Sequence, residues 1–480
     1  MTFRSQVLSA LKWTVIGRAS TQLVSWGITI VVMRLLAPED YGLIAMATLF
    51  SGLFAVVAEI GMGSSIIQTK DILPVQVRQV YGVVVLSNLA IVLILALIVA
   101  PLAALFFAEP RVEPVIRVVS LQFIPAIFAV IPSAMLDRDM AYRGRAAVDF
   151  SSTLGGAIFT LWLAYRGYGA FSLAWGPVVS GGLRALGLNW IKPYRELPSF
   201  DFSGVGHMLR FGRDVAANRL VYYFYSQADS FIVGKLLGKY ELGLYSVAMN
   251  LASMPASRLA VTIDQVAFPA MSKIKREGGD IRQYVLGSLR CVSLVSFPAM
   301  WGMSCVAPEL INVLLGENWV AATTALVLLC LVMPLRVLGP ILHASLQSVG
   351  KANVSFRNTY TTAITMCVAF VAGCQFGLTG LAIAWVLGFP LCFLLAVFRG
   401  APHLGMTLGE MLMALSRPML LSGFMFGMVT GVREILPLQG LPLLVMLIVV
   451  GATTYATLSL MLNRDGLMEA WRLLRPSGHE

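Results

Sequence analysis

The feature that most constrains the fold is a series of long apolar runs. Runs of eighteen or more apolar residues recur along the 480-residue chain, which is 58% hydrophobic and only 12% charged. A helix of about 20 such residues crosses the roughly 30 Å hydrocarbon core of a bilayer. A transmembrane β-barrel would instead show alternating segments of about ten residues, which do not occur. The sequence therefore predicts an all-α polytopic membrane protein.

The apolar runs divide into about fourteen transmembrane helices, separated by short connectors with proline, glycine and charged residues. The opening stretch "MTFRSQVLSALKW" lacks a small-residue cleavage site, so no cleavable signal is expected. In chain order, the predicted spans are residues 13–36, 42–67, 80–107, 115–136, 147–165, 169–190, 211–234, 242–270, 284–305, 320–345, 358–376, 379–398, 413–432 and 438–461.

Lysine and arginine are distributed unevenly between alternate connectors. One set of connectors carries most of them, including Lys273, Lys275 and Arg276, and the other set carries few. Because cytoplasmic loops are enriched in basic residues, this bias predicts both termini in the cytoplasm. It also accounts for the formal net charge of +11 without a nucleic-acid partner.

A polar turn occurs twice in the chain. Residues 34–47 read "RLLAPEDYGLIAMA", and residues 235–248 read "KLLGKYELGLYSVA". The turns open the second and eighth spans, so six spans separate them and the two copies share one orientation, as in a parallel repeat. Both turns are predicted on the outer side as scaffold, with Gly42 and Gly243 letting the chain turn tightly.

The longest connector divides this repeat into lobes. Residues 191–208 are polar, basic and rich in proline and glycine. The predicted organisation is an N-terminal six-helix lobe at 1–190, a cytoplasmic linker at 191–208, a C-terminal six-helix lobe at 209–400, and a final helix pair at 401–480. The last segment ends in a basic amphipathic helix predicted on the inner membrane surface.

Several blocks of sequence resemble one known family. They include "LKWTVIGRASTQLVSWGITIVVMRLLAPEDYGLIAMATLF", "FGRDVAANRLVYYFYSQADSFIVGKLLGKYELGLYSVAMN" and "LLGENWVAATTALVLLC". They resemble the polysaccharide transporter family of Wzx-type flippases, within the multidrug/oligosaccharidyl-lipid/polysaccharide exporter superfamily. The resemblance is closest to the colanic-acid-exporter-like branch and extends to about Phe398.

The resemblance implies two six-helix lobes facing each other in a V, with spans one, two, seven and eight around a central cavity. It implies alternating access without enzyme chemistry or a cofactor. The implied substrate is an oligosaccharide on a polyprenyl pyrophosphate, moved from the inner to the outer leaflet. It further implies membrane lipids, a polysaccharide polymerase and a chain-length regulator as partners of a monomer.

Polar residues inside the predicted spans are the first site candidates, because an ionisable group at mid-helix costs about 2.5–3.5 kcal/mol on insertion scales. Arg18, Gln22 and Ser25 share one face of the first span. The planar guanidinium of arginine binds phosphate well, so Arg18 is predicted to contact the pyrophosphate. Gln22, on the same face, is predicted to be a further substrate-binding residue. A short first helix with Arg18 at the cytoplasmic interface is the alternative.

The seventh and eighth spans supply the other substrate contacts. Arg219 has no acid three or four residues away, so it is predicted to bind phosphate. Arg258, within the eighth span, is predicted to be a further substrate-binding residue. Tyr222 and Tyr225, from "YYFY", are predicted to stack on sugar rings, with lipid or helix contact as the alternative.

Acidic residues in the same spans are candidates for coupling or gating. Glu59, Asp229 and Asp264 lie within spans two, seven and eight. Glu59 and Arg258 occupy near-equivalent repeat positions, and they are hypothesised to meet in one gating state. The four histidines and six cysteines show no metal-ligand spacing, so no metal site is predicted.

Three alternatives stay open at this stage. A cation-coupled small-molecule extruder of the same superfamily is disfavoured by the arginines of spans one, seven and eight. A membrane polysaccharide polymerase or ligase is disfavoured by the short outer connectors. A peptidoglycan-precursor flippase is a substrate variant of the leading interpretation. Transport coupled to protons, to sodium or to the membrane potential alone is compatible with the sequence.

Overall fold

The structure is a computed structural model that describes residues 25–58, 73–139, 141–201, 206–255, 271, 280–464 and 466–468. Within these ranges every regular element is a helix. The chain forms two compact units, Met1–Gly243 and Leu244–Glu480.

Among the described residues, the first unit has eight helices and the start of a ninth. They are α1 (Ser25–Leu35), α2 (Pro38–Ala58), α3 (Pro74–Phe107), α4 (Val112–Ser120), α5 (Phe123–Arg138), α6 (Tyr142–Tyr165), α7 (Ala170–Ile191), α8 (Gly206–Leu236) and α9 (238–255).

The second unit begins inside α9, and its described part contains six further α-helices. They are α10 (Ile281–Leu314), α11 (Thr323–Ser348), α12 (Ala352–Cys374), α13 (Gly377–Gly400), α14 (Leu408–Ile435) and α15 (Gly440–Leu462). Two short 3₁₀ turns lie at Glu317–Ala322 and Ala401–Leu404.

Length and composition make these helices membrane spans. Across the described ranges, nine helical segments are long and apolar enough to cross a bilayer. The chain is therefore an all-helical multi-pass membrane protein, which confirms the fold class predicted from the sequence. The predicted lobe boundaries at residues 190, 208 and 400 are not tested by this arrangement and stay predictions.

Local sequence explains where several helices bend or begin. α3 contains a π-helical turn at Leu95–Val99, just before Pro101, whose nitrogen cannot donate to the preceding turn. α14 begins with reciprocal bonds between Thr407 and Glu410, which satisfy two amides at the helix start. Gly238, at φ +85°, separates α8 from α9.

Helix packing in the first unit centres on α7, which packs along α6 and α5. Buried apolar residues join α5, α6 and α7, including Leu136, Val148 and Leu188. At one end of this bundle, Arg184 Nε lies 2.7 Å from Asp149 Oδ1. The apolar contacts and this ion pair together fix the relative position of the three helices.

Part of the predicted linker lies against α3. The Ser199 amide donates to the Arg78 carbonyl at 2.9 Å, and Arg78 Nε donates to the Leu197 carbonyl at 3.2 Å. Gly82 leaves room for the Ser199 carbonyl, where a methyl group would overlap it. The part of the linker around Leu197 and Ser199 therefore lies along the start of α3.

The second unit is built on α10, which packs against α11, α14 and α15. Leu289, Phe297, Leu338 and Ile341 lie in its buried core. Trp301 Nε1 donates to the Leu331 carbonyl at 3.1 Å and ties α10 to α11. None of the six cysteines forms a disulfide, and all are buried or half-buried, as expected for small apolar side chains in spans.

Candidate functional site

One face of α8 packs against α2, and both helices are predicted to line the cavity. The Tyr223 hydroxyl donates to the Leu49 carbonyl of α2 at 2.7 Å. Gly52 lies directly beneath it, because a methyl group there would stand 2.5 Å from the hydroxyl oxygen. Among the four aromatic residues of "YYFY", Tyr223 therefore joins two helices and serves the scaffold.

Three predicted site residues lie on α8 with described side chains. Arg219 is exposed and Tyr225 is half-buried. Asp229 is only 5% exposed, and its carboxylate accepts the Ser230 amide at 2.7 Å. At helical spacing Tyr225 and Asp229 share one face, whereas Arg219 lies on the Tyr223 face. The structure thus divides the polar residues of α8 between two faces.

The remaining predicted site residues lie outside the described part of the chain. They are Arg18, Gln22, Glu59, Arg258, Asp264 and the side chain of Tyr222. Their assigned roles, including the meeting of Glu59 with Arg258, stay predictions.

The two repeated turns pack directly against each other within the first unit. A methyl group on Gly42 would overlap the Lys239 carbonyl, and one on Gly243 would overlap the Pro38 carbonyl. Gly42 and Gly243 are equivalent in the repeat, and so are Pro38 and Lys239. The contact is therefore reciprocal, with the same backbone surface used twice, as in a two-fold interface. We call these four residues the glycine seam.

This packing corrects the role predicted for the two glycines. Neither Gly42 nor Gly243 has a positive φ, and both lie inside helices, which begin at Pro38 and at residue 238. They are needed because two backbones approach closely, whereas the tight turn is made by Gly238. The acids Asp40 and Glu241 accordingly lie in the first helical turn, where a negative charge suits the helix dipole.

A charged bracket holds one side of the glycine seam. Lys239 Nζ lies 2.5 Å from Glu109 Oε2, and Arg111 Nε lies 3.1 Å from Glu109 Oε1. Burial would raise the pKa of Glu109, but the hydrogen bonds and charges of Lys239 and Arg111 outweigh it and lower that pKa. Lys235 Nζ also donates to the Phe106 carbonyl. Glu109 is thus an ionised anchor for the start of α9.

A different bond holds the other copy of the turn. Asp40 accepts the amides of Ala170 at 3.0 Å and Ala37 at 3.3 Å, and so caps the first turn of α7. Glu241, its repeat equivalent, is half-buried and makes no hydrogen bond or ion pair with the described residues.

An apolar cavity of about 380 Å³ lies in the second unit between α10, α14 and α15. Its walls include Gly302, Met425 and Gly451 and carry no charged side chain. A charged headgroup would lose its hydration there without a partner, so this cavity does not suit the polar part of a substrate. No metal-ligating cluster occurs among the described residues.

The sequence analysis missed one arginine in the second unit. Arg336 lies near the middle of α11, and its guanidinium carbon is 4.6 Å from the centre of the Trp385 ring. The prediction had concentrated on spans one, two, seven and eight. The same rule, that an ionisable residue within an apolar span marks a candidate site, would have found Arg336 in the tenth span.

Comparison with known sequences places the chain in a family. Residues 31–324 match the model of a family described as polysaccharide biosynthesis protein. The lipopolysaccharide biosynthesis protein WzxC of Escherichia coli strain K12 is 25% identical over 88% of this chain and 86% of its own length. The succinoglycan biosynthesis transport protein ExoT of Rhizobium meliloti strain 1021 is 25% identical over 78% of this chain and 76% of its own.

A solved structure shares the fold. The lipid II flippase MurJ, in an inward closed conformation, superimposes with a TM-score of 0.76 over 95% of this chain and 100% of its own, at 15% sequence identity. That likeness concerns the fold alone, whereas the family match covers more than half of the residues. The chain therefore belongs to the polysaccharide biosynthesis protein family whose model spans residues 31–324.

Proposed function

We propose that this protein is a flippase that moves lipid-linked oligosaccharide units across the membrane for the synthesis of a surface polysaccharide. Membership of the polysaccharide biosynthesis family supports the pathway, and the relative named as a transport protein supports the activity. Nine membrane-crossing helical segments within the described ranges provide the required scaffold. The substrate is an oligosaccharide on a polyprenyl diphosphate.

The glycine seam is the observation that carries the proposed mechanism. Gly42 and Gly243 meet opposite backbones with no side chain interlocked between them. A contact of this kind is short, because bare backbones approach closely, and it separates without repacking a core of side chains. In our proposal the seam closes the outer side of the transport path in one state and parts in the other, so that access alternates.

The proposed substrate contacts lie on the helices beside the seam. Arg18, Arg219 and Arg258 would hold the diphosphate, because guanidinium groups bind phosphate oxygens through paired hydrogen bonds. Tyr222 and Tyr225 would stack on sugar rings. Glu59, Asp229 and Asp264 remain candidates for coupling or gating, and Gln22 for a neutral hydrogen bond to the headgroup.

The proposed direction of transport is energetically favourable. The headgroup is an anion that moves from the negative to the positive side of the membrane, and each elementary charge gains about 2.3 kcal/mol per 100 mV. The membrane potential is therefore sufficient to drive export of a diphosphate without a coupling ion. The proposed location is the cell inner membrane with both termini cytoplasmic, next to a polysaccharide polymerase and a chain-length regulator.

Deletion of the gene in its native strain tests this function. Lipid-linked repeat units should accumulate on the inner leaflet, and surface polysaccharide should be lost and restored by the wild-type gene. Resistance of the cells to cationic dyes should be unchanged. Deletion of a multidrug-type extruder would instead lower that resistance. Normal polysaccharide in a deletion strain that has no second transporter would contradict the proposed function.

A further inference from the structure

Arg336 occupies a costly position in the second unit. It lies 13 residues after the start of α11 and 12 before its end, at Thr323 and Ser348. At 1.5 Å per residue this is about 20 Å from either end of the helix. A charged side chain at that depth is normally retained because it lines a water-filled path or binds a partner.

The described groups around the Arg336 guanidinium hold it in place, and none of them carries a negative charge. Its guanidinium carbon lies 4.6 Å from the centre of the Trp385 ring, a cation–π distance. Its Nη1 lies 3.5 Å from Met249 Sδ and 3.9 Å from Met333 Sδ, and thioether sulfur is a weak acceptor. No carboxylate or carbonyl oxygen among the described residues accepts a hydrogen bond from this guanidinium.

The aromatic platform under Arg336 is rigid. The Trp385 indole N–H donates to the Tyr245 hydroxyl at 2.9 Å, and Tyr245 is fully buried. The ring centres of Phe370 and Phe389 lie 5.0 Å and 5.8 Å from that of Trp385. A fixed ring holds the guanidinium plane in place, which reduces the entropy lost when a ligand binds to it.

Two other arginines of the second unit illustrate the usual arrangement, with an oxygen partner for each guanidinium. Arg433 pairs with Glu309 at 2.8 Å, and Arg399 Nη1 donates to the Thr361 hydroxyl at 2.9 Å. Arg336 differs, since its side chain is half-buried and, among the described residues, its donors meet only sulfur and a ring. Its backbone is also unusual, because Pro340 has no N–H for the Arg336 carbonyl. Among the described residues, the Arg336 guanidinium and backbone carbonyl therefore keep unused hydrogen-bonding capacity inside a membrane span.

We propose that Arg336, seated on Trp385, is a binding residue for an oxyanion of the transported substrate, and specifically for its diphosphate. The inference rests on the proposed function and adds a contact from the second unit. A guanidinium fork suits phosphate oxygens, and the mid-membrane depth suits a headgroup in transit rather than a lipid at the interface. An acidic sugar offers the same oxyanion chemistry, and the experiment separates the two sources.

Binding by the full-length protein in lipid nanodiscs tests the proposal. The probes are polyprenyl diphosphate and polyprenol, with free glucuronate as the competing carboxylate. The wild type should bind the diphosphate and not the alcohol. Arg336→Gln should weaken diphosphate binding by about ten-fold to a hundred-fold, as expected for loss of charge-assisted hydrogen bonds. Arg399→Gln, which removes an arginine with a hydroxyl partner, should leave the affinity unchanged.

Two further variants keep the test decisive if Arg336→Gln fails to reach the membrane. Arg336→Lys retains the charge but loses the fork, so it should bind the diphosphate several-fold more weakly than the wild type. Trp385→Phe keeps an apolar ring and should weaken binding less than Arg336→Lys. Equal diphosphate affinity in the wild type and Arg336→Lys would overturn the proposal.

The probes also identify the source of the oxyanion. Glucuronate binding that is lost in Arg336→Gln, together with diphosphate binding that is equal in the wild type and Arg336→Gln, would assign the site to sugar carboxylates and overturn the diphosphate assignment. These outcomes are independent of the deletion experiment. A strain that exports normally without the gene contradicts the proposed function, whereas unaltered binding by the Arg336 variants contradicts only this site.

Discussion

The two copies of the repeated turn keep the same glycine but tether their neighbouring residues differently. Gly42 and Gly243 make the same backbone contact from opposite sides. Asp40 in the first copy is bonded to the start of α7, whereas Glu241 in the second copy has no such bond among the described residues. The symmetric element is therefore the contact itself. The bonds made by the neighbouring acidic residues differ between the copies, so substitutions can remove them separately.

The seam glycines should give the largest effect. Gly42→Ala and Gly243→Ala each place a methyl group on a carbonyl that cannot yield without moving a helix. Each should destabilise the described arrangement by about 2–3 kcal/mol, the range of overpacked sites. The measurement is the free energy of unfolding in mixed micelles, together with polysaccharide export in cells.

A helical glycine with open space supplies the matched control. Nothing lies within 4 Å of the position that a methyl group on Gly182 would occupy, so Gly182→Ala should be neutral or slightly stabilising. Because Gly42 and Gly243 form one contact, the double variant should cost less than the sum of the single variants. Additive costs would show that the two glycines act independently.

The charged bracket should give the next effect. Glu109→Gln should cost about 1–2 kcal/mol, as for loss of a partly buried charge-assisted hydrogen bond. Because the pKa of Glu109 is lowered in the folded protein, its contribution is complete above the ordinary carboxyl value of about 4.3 and is lost as the pH falls through the lowered value. Wild-type stability should therefore lose this contribution progressively as the pH falls below about 4.3. Matching acid sensitivity in Glu109→Gln would contradict the assignment.

The two acids separate the copies most directly. Asp40→Ala should cost about 1 kcal/mol, because the α7 amide of Ala170 loses its cap. Glu241→Ala should change the free energy of unfolding by less than about 0.5 kcal/mol, as for sites without partners. Equal costs at the two positions would mean that the copies are tethered alike.

The contact between α8 and α2 should give the smallest effect. Tyr223→Phe removes the hydroxyl that donates to the Leu49 carbonyl and should cost about 0.5–1 kcal/mol. Tyr225→Phe is the control on the same helix, and as a proposed substrate contact it should lower export more than stability. A larger loss of stability for Tyr225→Phe than for Tyr223→Phe would reverse these assignments.

The sequence was enough to predict the helical membrane class. It also predicts the internal repeat, whose six-span register stays a prediction. Apolar runs are long and the repeated turn aligns without gaps, so both signals are local. The role of Gly42 was not predictable, because it depends on a carbonyl about two hundred residues away. Arg336 was not predicted, because the family resemblance places the cavity on spans one, two, seven and eight. Its position within an apolar span is nevertheless evident from the sequence.

The assignment of aromatic roles also required the structure. The run "YYFY" places four rings around one helix, and its sequence does not say which ring meets a neighbouring helix. Only the packing of α8 on α2 shows that Tyr223 reaches the Leu49 carbonyl. The substrate roles of Arg219 and Tyr225 and the coupling or gating role of Asp229 stay predictions, because burial and local bonds do not report on a ligand.

Flipping by the purified protein is the most direct test of the central claim. The protein is reconstituted into liposomes that carry a fluorescent oligosaccharide on a polyprenyl diphosphate, and a membrane-impermeant quencher is added outside. The account predicts that the protected inner pool becomes accessible in liposomes with the wild type, and much more slowly with Gly42→Ala. An inner pool that stays protected to the same extent as in protein-free liposomes would contradict the account.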